Sequence, residues 1–416
     1  MAISPLDEQG KAVDWWFIYK IPKLANAGGA VSASGYEYMY YDRKVRQLQK
    51  SPFQLTDGKG ALDLTLNTVF KNPSVTTGWI LYNDEMPAGA DRRDNGALGH
   101  TKGVIVFDTA SKTGFWMLHS WPKFADPDQA KMPTPAYGQT YLCIAIDLAT
   151  ASALATQMVN HQQPQTYLPH LPMTLAKNDP LYRLSQPLDG DDAGDSDSAD
   201  YESRGGLKFK VIAKNRKWNK DFWNDLVGPT LGDDMDVESW IRGPIPPTQD
   251  SDGIHKTFDI KFIDLRSFGT DWSWPESKDH AKWGITYKNN WVCVGDINRM
   301  ISQEKRGGGT IAFQDAALWA ALKKTDLLLP PHGQTMEQAK ALLTATQVDP
   351  QADDAASKKA SAKATAKTAK KVSATTKKKA PAKKKAPAKK KAPTKKKAPA
   401  KKKASAKKVA KKTRKA

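Results

Sequence analysis

The 416-residue chain has two cysteines, Cys143 and Cys293. So few exclude a disulfide framework for a chain this long and leave two reduced, buried thiols as the expectation. Histidine is scarce too, at seven residues. No apolar stretch approaches the roughly 20 residues needed to span a bilayer. The start, MAISPLDEQGKAVDWWFIYK, has no charged region followed by an apolar one, so no cleavable signal is read there. The expectation is a soluble protein without a membrane partner, located in the cytoplasm or with a nucleoid or nucleus. Metal constellations are also missing: H-E-x-x-H, clustered Cys/His and D-x-D-x-D-G loops do not occur in usable form. No metal and no cofactor are expected.

Positive charge is abundant but unevenly placed. Residues 351–416 hold 26 Lys, one Arg and two Asp, a net +25, whereas the preceding 350 residues hold 37 basic and 42 acidic residues, a net −5. KKKAPAKKKAPTKKKAPAKKK repeats every six residues without an apolar face and resembles a linker-histone tail. It cannot bury enough surface to offset its chain entropy, so 351–416 is expected to be disordered in isolation. Its charge density suits non-specific nucleic-acid binding by counterion release.

The body has 13 Trp, 12 Tyr and 12 Phe to build a core. DWWFIYKIPK, SGYEYMYYD, TGWILYNDE, GVIVFD, GFWMLHS and YLCIAID read as strands, and ATASALATQMVNH as a helix. QPLDGDDAGDSDSADYESRGG, residues 186–206, reads as a mobile acidic loop between two halves, 1–185 and 207–350. The second half repeats the rhythm with LKFKVIAK, KDFWNDLVG (helical), KTFDIKFIDL, KWGITY and WVCVGDI. Two helical segments, QDAALWAALKKTDLLL and MEQAKALLTATQ, follow. The expected fold class is α/β, with mixed sheets flanked by helices.

GHTKGVIVFDTASKTGFWMLHSWPK and DHAKWGITYKNNWVCVGDINR share a pattern. Each has H-x-K, an apolar run, a polar turn and an aromatic-led second strand, which predicts one hairpin per half. Aligned, His119 and Ser120 fall opposite Gly295 and Asp296. Residues i and i+2 of a strand share a face, so His100 with Lys102, and His280 with Lys282, can each reach one phosphate. Two such units meeting at one site suit metal-free phosphodiester cleavage. One imidazole attacks phosphorus, the other gives its proton to the leaving oxygen, and the ammonium groups stabilise the non-bridging oxygens. His119 and Asn298 are further candidates for positioning substrate, Glu304 for orienting an imidazole, and Gly307–Gly309 for backbone contact with phosphate.

These pieces, in order with ILYNDE, YGQTYLC and EKRGGGT…ALW, resemble deoxyribonuclease II, the acid endonuclease family related in fold to phospholipase D. The resemblance spans most of residues 13–325. It implies two pseudo-symmetric halves around one cleft, catalysis by His100, Lys102, His280 and Lys282, and a phosphate- or His-orienting role for Asn298. It also implies DNA as substrate, 3′-phosphate and 5′-hydroxyl products, a mildly acidic optimum and a homodimer embracing the duplex. His100 is expected to attack and His280 to act as acid, although the reverse fits the same residues. An acid beyond each Lys has a counterpart near Asp108, but Tyr287 and Lys288 occupy the second place. A signal peptide and several disulfides mark the animal enzymes; their absence here argues against a lysosomal site. Two other readings stay open, a histone-like architectural DNA-binding protein without catalysis and a lipid phosphodiesterase.

Overall fold

In the computed structural model, residues 2–25, 29–91, 98–127, 132–188 and 194–327 are described. Two large sheets carry the fold. The first is built from β1 (Trp15–Lys20), β2 (Glu37–Asp42), β3 (Gln49–Gln54), β4 (Thr77–Asn83), β5 (Lys102–Asp108), β6 (Thr113–His119), β7 (Gln139–Asp147) and β8 (Thr166–His170), in the order β8-β4-β5-β6-β7-β1-β2-β3. The second has β9 (Ser196–Glu202), β10 (Lys208–Lys214), β11 (Met235–Ser239), β12 (Thr257–Asp259), β13 (Lys282–Thr286), β14 (Trp291–Gly295) and β15 (Gly308–Gln314), in the order β9-β10-β15-β14-β13-β11-β12. All pairings in the first sheet are antiparallel, and in the second only β11–β12 is parallel. The fold is mixed α/β, with several sheets and few helices.

One strand order occurs twice. In the first sheet β4-β5-β6-β7-β1 are neighbours, and in the second β11-β13-β14-β15-β10 follow the same plan in the same chain order. The last strand of each set leads into a ten-residue helix, α2 (Leu148–Gln157) after β7 and α3 (Ala316–Thr325) after β15. Both helices start on an aspartate, Asp147 or Asp315, whose carboxylate accepts first-turn N–H groups. A third helix, α1 (Ala61–Phe70), packs on the outer side of the first sheet through Leu62, Leu66 and Val69. The largest core cluster joins the two sheets. It takes Trp15, Phe17, Trp116 and Leu118 from one, Trp283, Val294 and Phe313 from the other, and the apolar faces of α2 and α3. Strand β14 packs on β6 and β7, which brings the two H-x-K hairpins together. Among the described residues no division falls between the halves, which cluster as one unit.

Two expectations change, and two segments are not tested. The acidic segment 186–206 is not a loop throughout, because Ser196–Glu202 forms edge strand β9. Its charge is tolerated because the lysines of β10 lie opposite: Asp200 faces Lys210 with a 2.7 Å ion pair, and Glu202 faces Lys208. KTFDIKFIDL is two short strands, β12 and Phe262–Asp264, in different sheets. MEQAKALLTATQ and the Lys-rich tail 351–416 lie outside the described residues.

Candidate active site

Lys102 is the first residue of β5, paired with Asn83 at the end of β4, and one step beyond the Gly103–Leu118 pair it faces His119. His100 precedes the strand. Its backbone N–H donates to the Gly307 carbonyl at 2.8 Å. Its ring Nδ1 meets the Asp296 carbonyl at 2.6 Å. A carbonyl only accepts, so Nδ1 carries the hydrogen and the neutral ring presents its lone pair at Nε2. Asp84, just past β4, gathers the cations around this ring. It ion-pairs with Lys102, lies 3.3 Å from Arg306 Nη2 and sits 3.6 Å from His100 Nε2.

The second unit is built alike and furnished differently. Lys282 opens β13, pairs with Ser239 and, one step beyond Trp283–Val294, faces Gly295. The His280 N–H donates to the Gly138 carbonyl at 2.9 Å. Its ring stacks on Tyr137, with centroids 4.0 Å apart and planes at 15°, and lies 4.2 Å from the Trp240 ring. Its Nε2 is buried with no hydrogen-bond partner among the described residues. Lys282 Nζ donates to the His280 carbonyl at 2.5 Å. Asp279 anchors this stretch by accepting from Tyr19 Oη at 2.5 Å, Trp274 Nε1 at 2.8 Å and the Ala281 N–H at 2.8 Å.

Strand register shows which positions correspond. Asn83 and Ser239 both face the H-x-K lysine, so Asp84 and Trp240 are equivalent. His119 pairs with Tyr141 and Gly295 with Thr310, so Tyr137–Gly138 matches Arg306–Gly307. Each histidine is therefore walled by one residue of its own half and one of the other. His100 has Asp84 and Arg306, and His280 has Trp240 and Tyr137. Each also hangs its backbone N–H on a glycine carbonyl from the opposite half.

The four central groups act on one another electrostatically. Burial holds the His100 imidazole well below its ordinary value; Asp84 opposes this, while Lys102, Lys282 and Arg306 add to it. Burial, then Lys282, Lys102 and His100, do the same to His280. Burial, then Lys102, bring Lys282 down to about 7. Asp296 is pushed up to about 8 by burial, against the pull of Lys102. Burial alone would raise Asp84, but His100, Lys102 and Arg306 hold it well below the usual carboxylate range.

The sequence candidates fall into three groups. His100, Lys102, His280 and Lys282 meet at one place. Asn298 is 2 % exposed close behind Asp296, with its Oδ1 buried and unpaired among the described residues. His119 lies beside Lys102 but packs against Phe124 and Tyr141, with neither ring nitrogen bonded among the described residues. Asp108 is at the far end of β5, where it accepts from Thr76 and Ser111 and ties the hairpin turn, so it is not part of the site. Glu304 is not beside an imidazole, and its carbonyl accepts from Lys214. Gly307 does contribute, through the carbonyl that holds His100. Sequence reading assigned no role to Asp84, Arg306, Tyr137 or Trp240. The first three lie inside quoted motifs (ILYNDE, EKRGGGT, YGQTYLC), while nothing near Trp240 pointed to it. Among the described residues no group of three or more His, Cys, Asp or Glu could hold a metal ion.

The deoxyribonuclease II family model matches residues 4–328. A protein of Burkholderia thailandensis, provisionally named deoxyribonuclease-2, is 64 % identical over 346 residues, 83 % of this chain and 99 % of the relative. The deoxyribonuclease-2-alpha of Rattus norvegicus is 30 % identical over 335 residues, 77 % of this chain and 92 % of its own length. Plancitoxin-1 of Acanthaster planci is 31 % identical over 323 residues, covering 76 % and 88 %. The family model spans both H-x-K hairpins, and by that match and these relatives the chain belongs to the deoxyribonuclease II family and is a nuclease.

Proposed function

We propose that this chain cleaves DNA phosphodiesters without a metal ion, through a phosphohistidine, within a two-half phospholipase D-like fold. The observation that carries the proposal is the convergence of both H-x-K units, each histidine held by the opposite half. His100 is the nucleophile. Its Nδ1–H is fixed on the Asp296 carbonyl, which aims the Nε2 lone pair outward. His280 is the acid: the aromatic faces of Tyr137 and Trp240 on either side offset part of what burial and the neighbouring cations cost its imidazolium, and its Nε2 has no competing partner among the described residues. His100 Nε2 bonds to phosphorus as the bond to the 5′-oxygen breaks, and that oxygen takes the His280 proton, giving a 5′-hydroxyl. Neutral His280 then takes a proton from water, the oxygen attacks phosphorus, and the P–N bond breaks to release a 3′-phosphate. Lys102 and Lys282 neutralise the non-bridging oxygens, the charge a metal would otherwise supply. Asn298 lies close enough in the chain to Asp296 to steady the phosphate or an imidazole. His119, in its aromatic pocket, supports Lys102 from the neighbouring strand. The tail 351–416 holds DNA non-specifically.

Plasmid cleavage in excess EDTA at about pH 5 tests this, with the wild type beside His100→Ala and His280→Ala. Cutting by the wild type alone, with 3′-phosphate ends and a phosphoenzyme trapped by rapid quench, is expected. Unchanged cutting by either variant would sink the scheme and put the chemistry on residues other than the two H-x-K histidines.

A further inference from the structure

Two lysines outside the H-x-K units occupy equivalent positions and do equivalent things. Lys20 ends β1 opposite Gln139, and Lys214 ends β10 opposite Gly308. Both are fully buried, at 0 % exposure. An ammonium has three donors and no acceptor, and burying one is costly unless those donors are used. Lys20 Nζ donates to the Pro135 carbonyl at 2.9 Å and to the Tyr137 carbonyl, and lies 4.8 Å from the centre of the Trp121 ring. Lys214 Nζ donates to the carbonyls of Gln303 at 3.2 Å, Glu304 at 2.8 Å and Arg306 at 2.5 Å. Each lysine thus gathers the loop entering the next strand. Those loops carry Tyr137–Gly138 and Arg306–Gly307, the residues that hold the opposite half's histidine.

We propose that Lys20 and Lys214 are paired positioning residues: Lys20 sets His280 through the Tyr137–Gly138 loop, and Lys214 sets His100 through the Arg306–Gly307 loop. Carboxylates face both without a direct ion pair, Asp279 and Glu37 toward Lys20, and Asp221 and Glu304 toward Lys214, with Arg306 opposing. The bonds to the loops are therefore what fix each ammonium.

The inference rests on the role split proposed above, and the test separates the two. Lys20→Met and Lys214→Met keep chain length and apolar volume while removing the donors. Each is compared with His280→Ala and His100→Ala on DNA and on thymidine 3′-(p-nitrophenyl phosphate), whose leaving group needs no proton. On DNA both lysine variants should lose about 10²-fold in kcat, the scale of a 1 Å misplacement, with KM little changed and folding intact by melting temperature. On the activated ester Lys20→Met should keep the nitrophenolate burst, as His280→Ala does, while Lys214→Met should lose it with His100→Ala. A burst lost in His280→Ala but kept in His100→Ala reverses the role split, and the lysine variants must then follow their own histidines. A lysine variant that cuts DNA at the wild-type rate, or follows the other histidine, overturns the positioning role. If a Met variant does not fold, Lys→Gln at that position is measured by the same criteria.

Discussion

At the scale of single residues, Asp84 sets the charge balance around His100. Its carboxylate ion-pairs with Lys102 and Arg306 and lies 3.6 Å from His100 Nε2, so a phosphate must compete with it for the two cations. Asp84→Asn should therefore tighten DNA binding several-fold in a His100→Ala background, by about 1 kcal/mol, as read by fluorescence anisotropy. In the otherwise native enzyme kcat should fall by an order of magnitude or more, because Lys102 loses its anchor. The imidazoles fix the pH response. His280 must be charged to act as acid, and burial with neighbouring cations lowers its affinity for the proton. The charged fraction in the free enzyme therefore grows as pH falls below the ordinary value of about 6.5. His100 is lowered too, which keeps the proposed nucleophile neutral over the same range. Lys282, at about 7, loses its charge as pH rises through neutrality. So kcat/KM should climb as pH falls through 7 and 6. The kcat profile should lie at higher pH, because bound phosphate raises both imidazoles. A flat or alkaline profile at constant ionic strength would contradict this assignment.

At the scale of elements, the glycines before the active strands show how little room the site leaves. A Cβ on Gly307 would lie 2.4 Å from the Gln162 carbonyl oxygen, and one on Gly99 2.2 Å from the same atom. Neither obstacle is a flexible side chain, so Gly307→Ala must shift backbone. We expect a loss of about 1–3 kcal/mol in chemical denaturation, with a kcat loss larger than that of Gly89→Ala, whose Cβ would meet nothing within 4 Å. Elements differ in how much of them the sequence displays. The H-x-K hairpins are legible because strand periodicity exposes their apolar faces and a polar turn separates them. Strand β9 was hidden because SDSADYE has no apolar alternation, and its partners are the lysines of β10. Asp84, Trp240, Tyr137 and Arg306 were opaque as a set for a different reason. Each is ordinary in its local stretch, and only the pairing of distant strands shows that they occupy matching places.

At the scale of the whole molecule, a mildly acidic body is joined to a tail carrying +25 over residues 351–416. A body that cuts phosphodiesters gains local substrate from such a segment, and the gain should vanish with salt. Removing 351–416 should leave kcat nearly unchanged and raise the KM for DNA at about 0.15 M salt, with a shallower dependence of log KM on log salt. An unchanged slope would show that the tail does not touch the substrate.

The exchange of glycine carbonyls between halves has one more consequence. Two identical chains related by an exact twofold axis could reproduce the lysines and the crossed loops, but they would have to give both histidines the same walls. One imidazole beside an ion pair and the other between aromatic rings is an arrangement closed to any symmetric pair. By carrying both copies in one chain, the molecule lets each drift separately, and a division of labour between nucleophile and acid can be written into the ground state instead of being decided anew by each substrate.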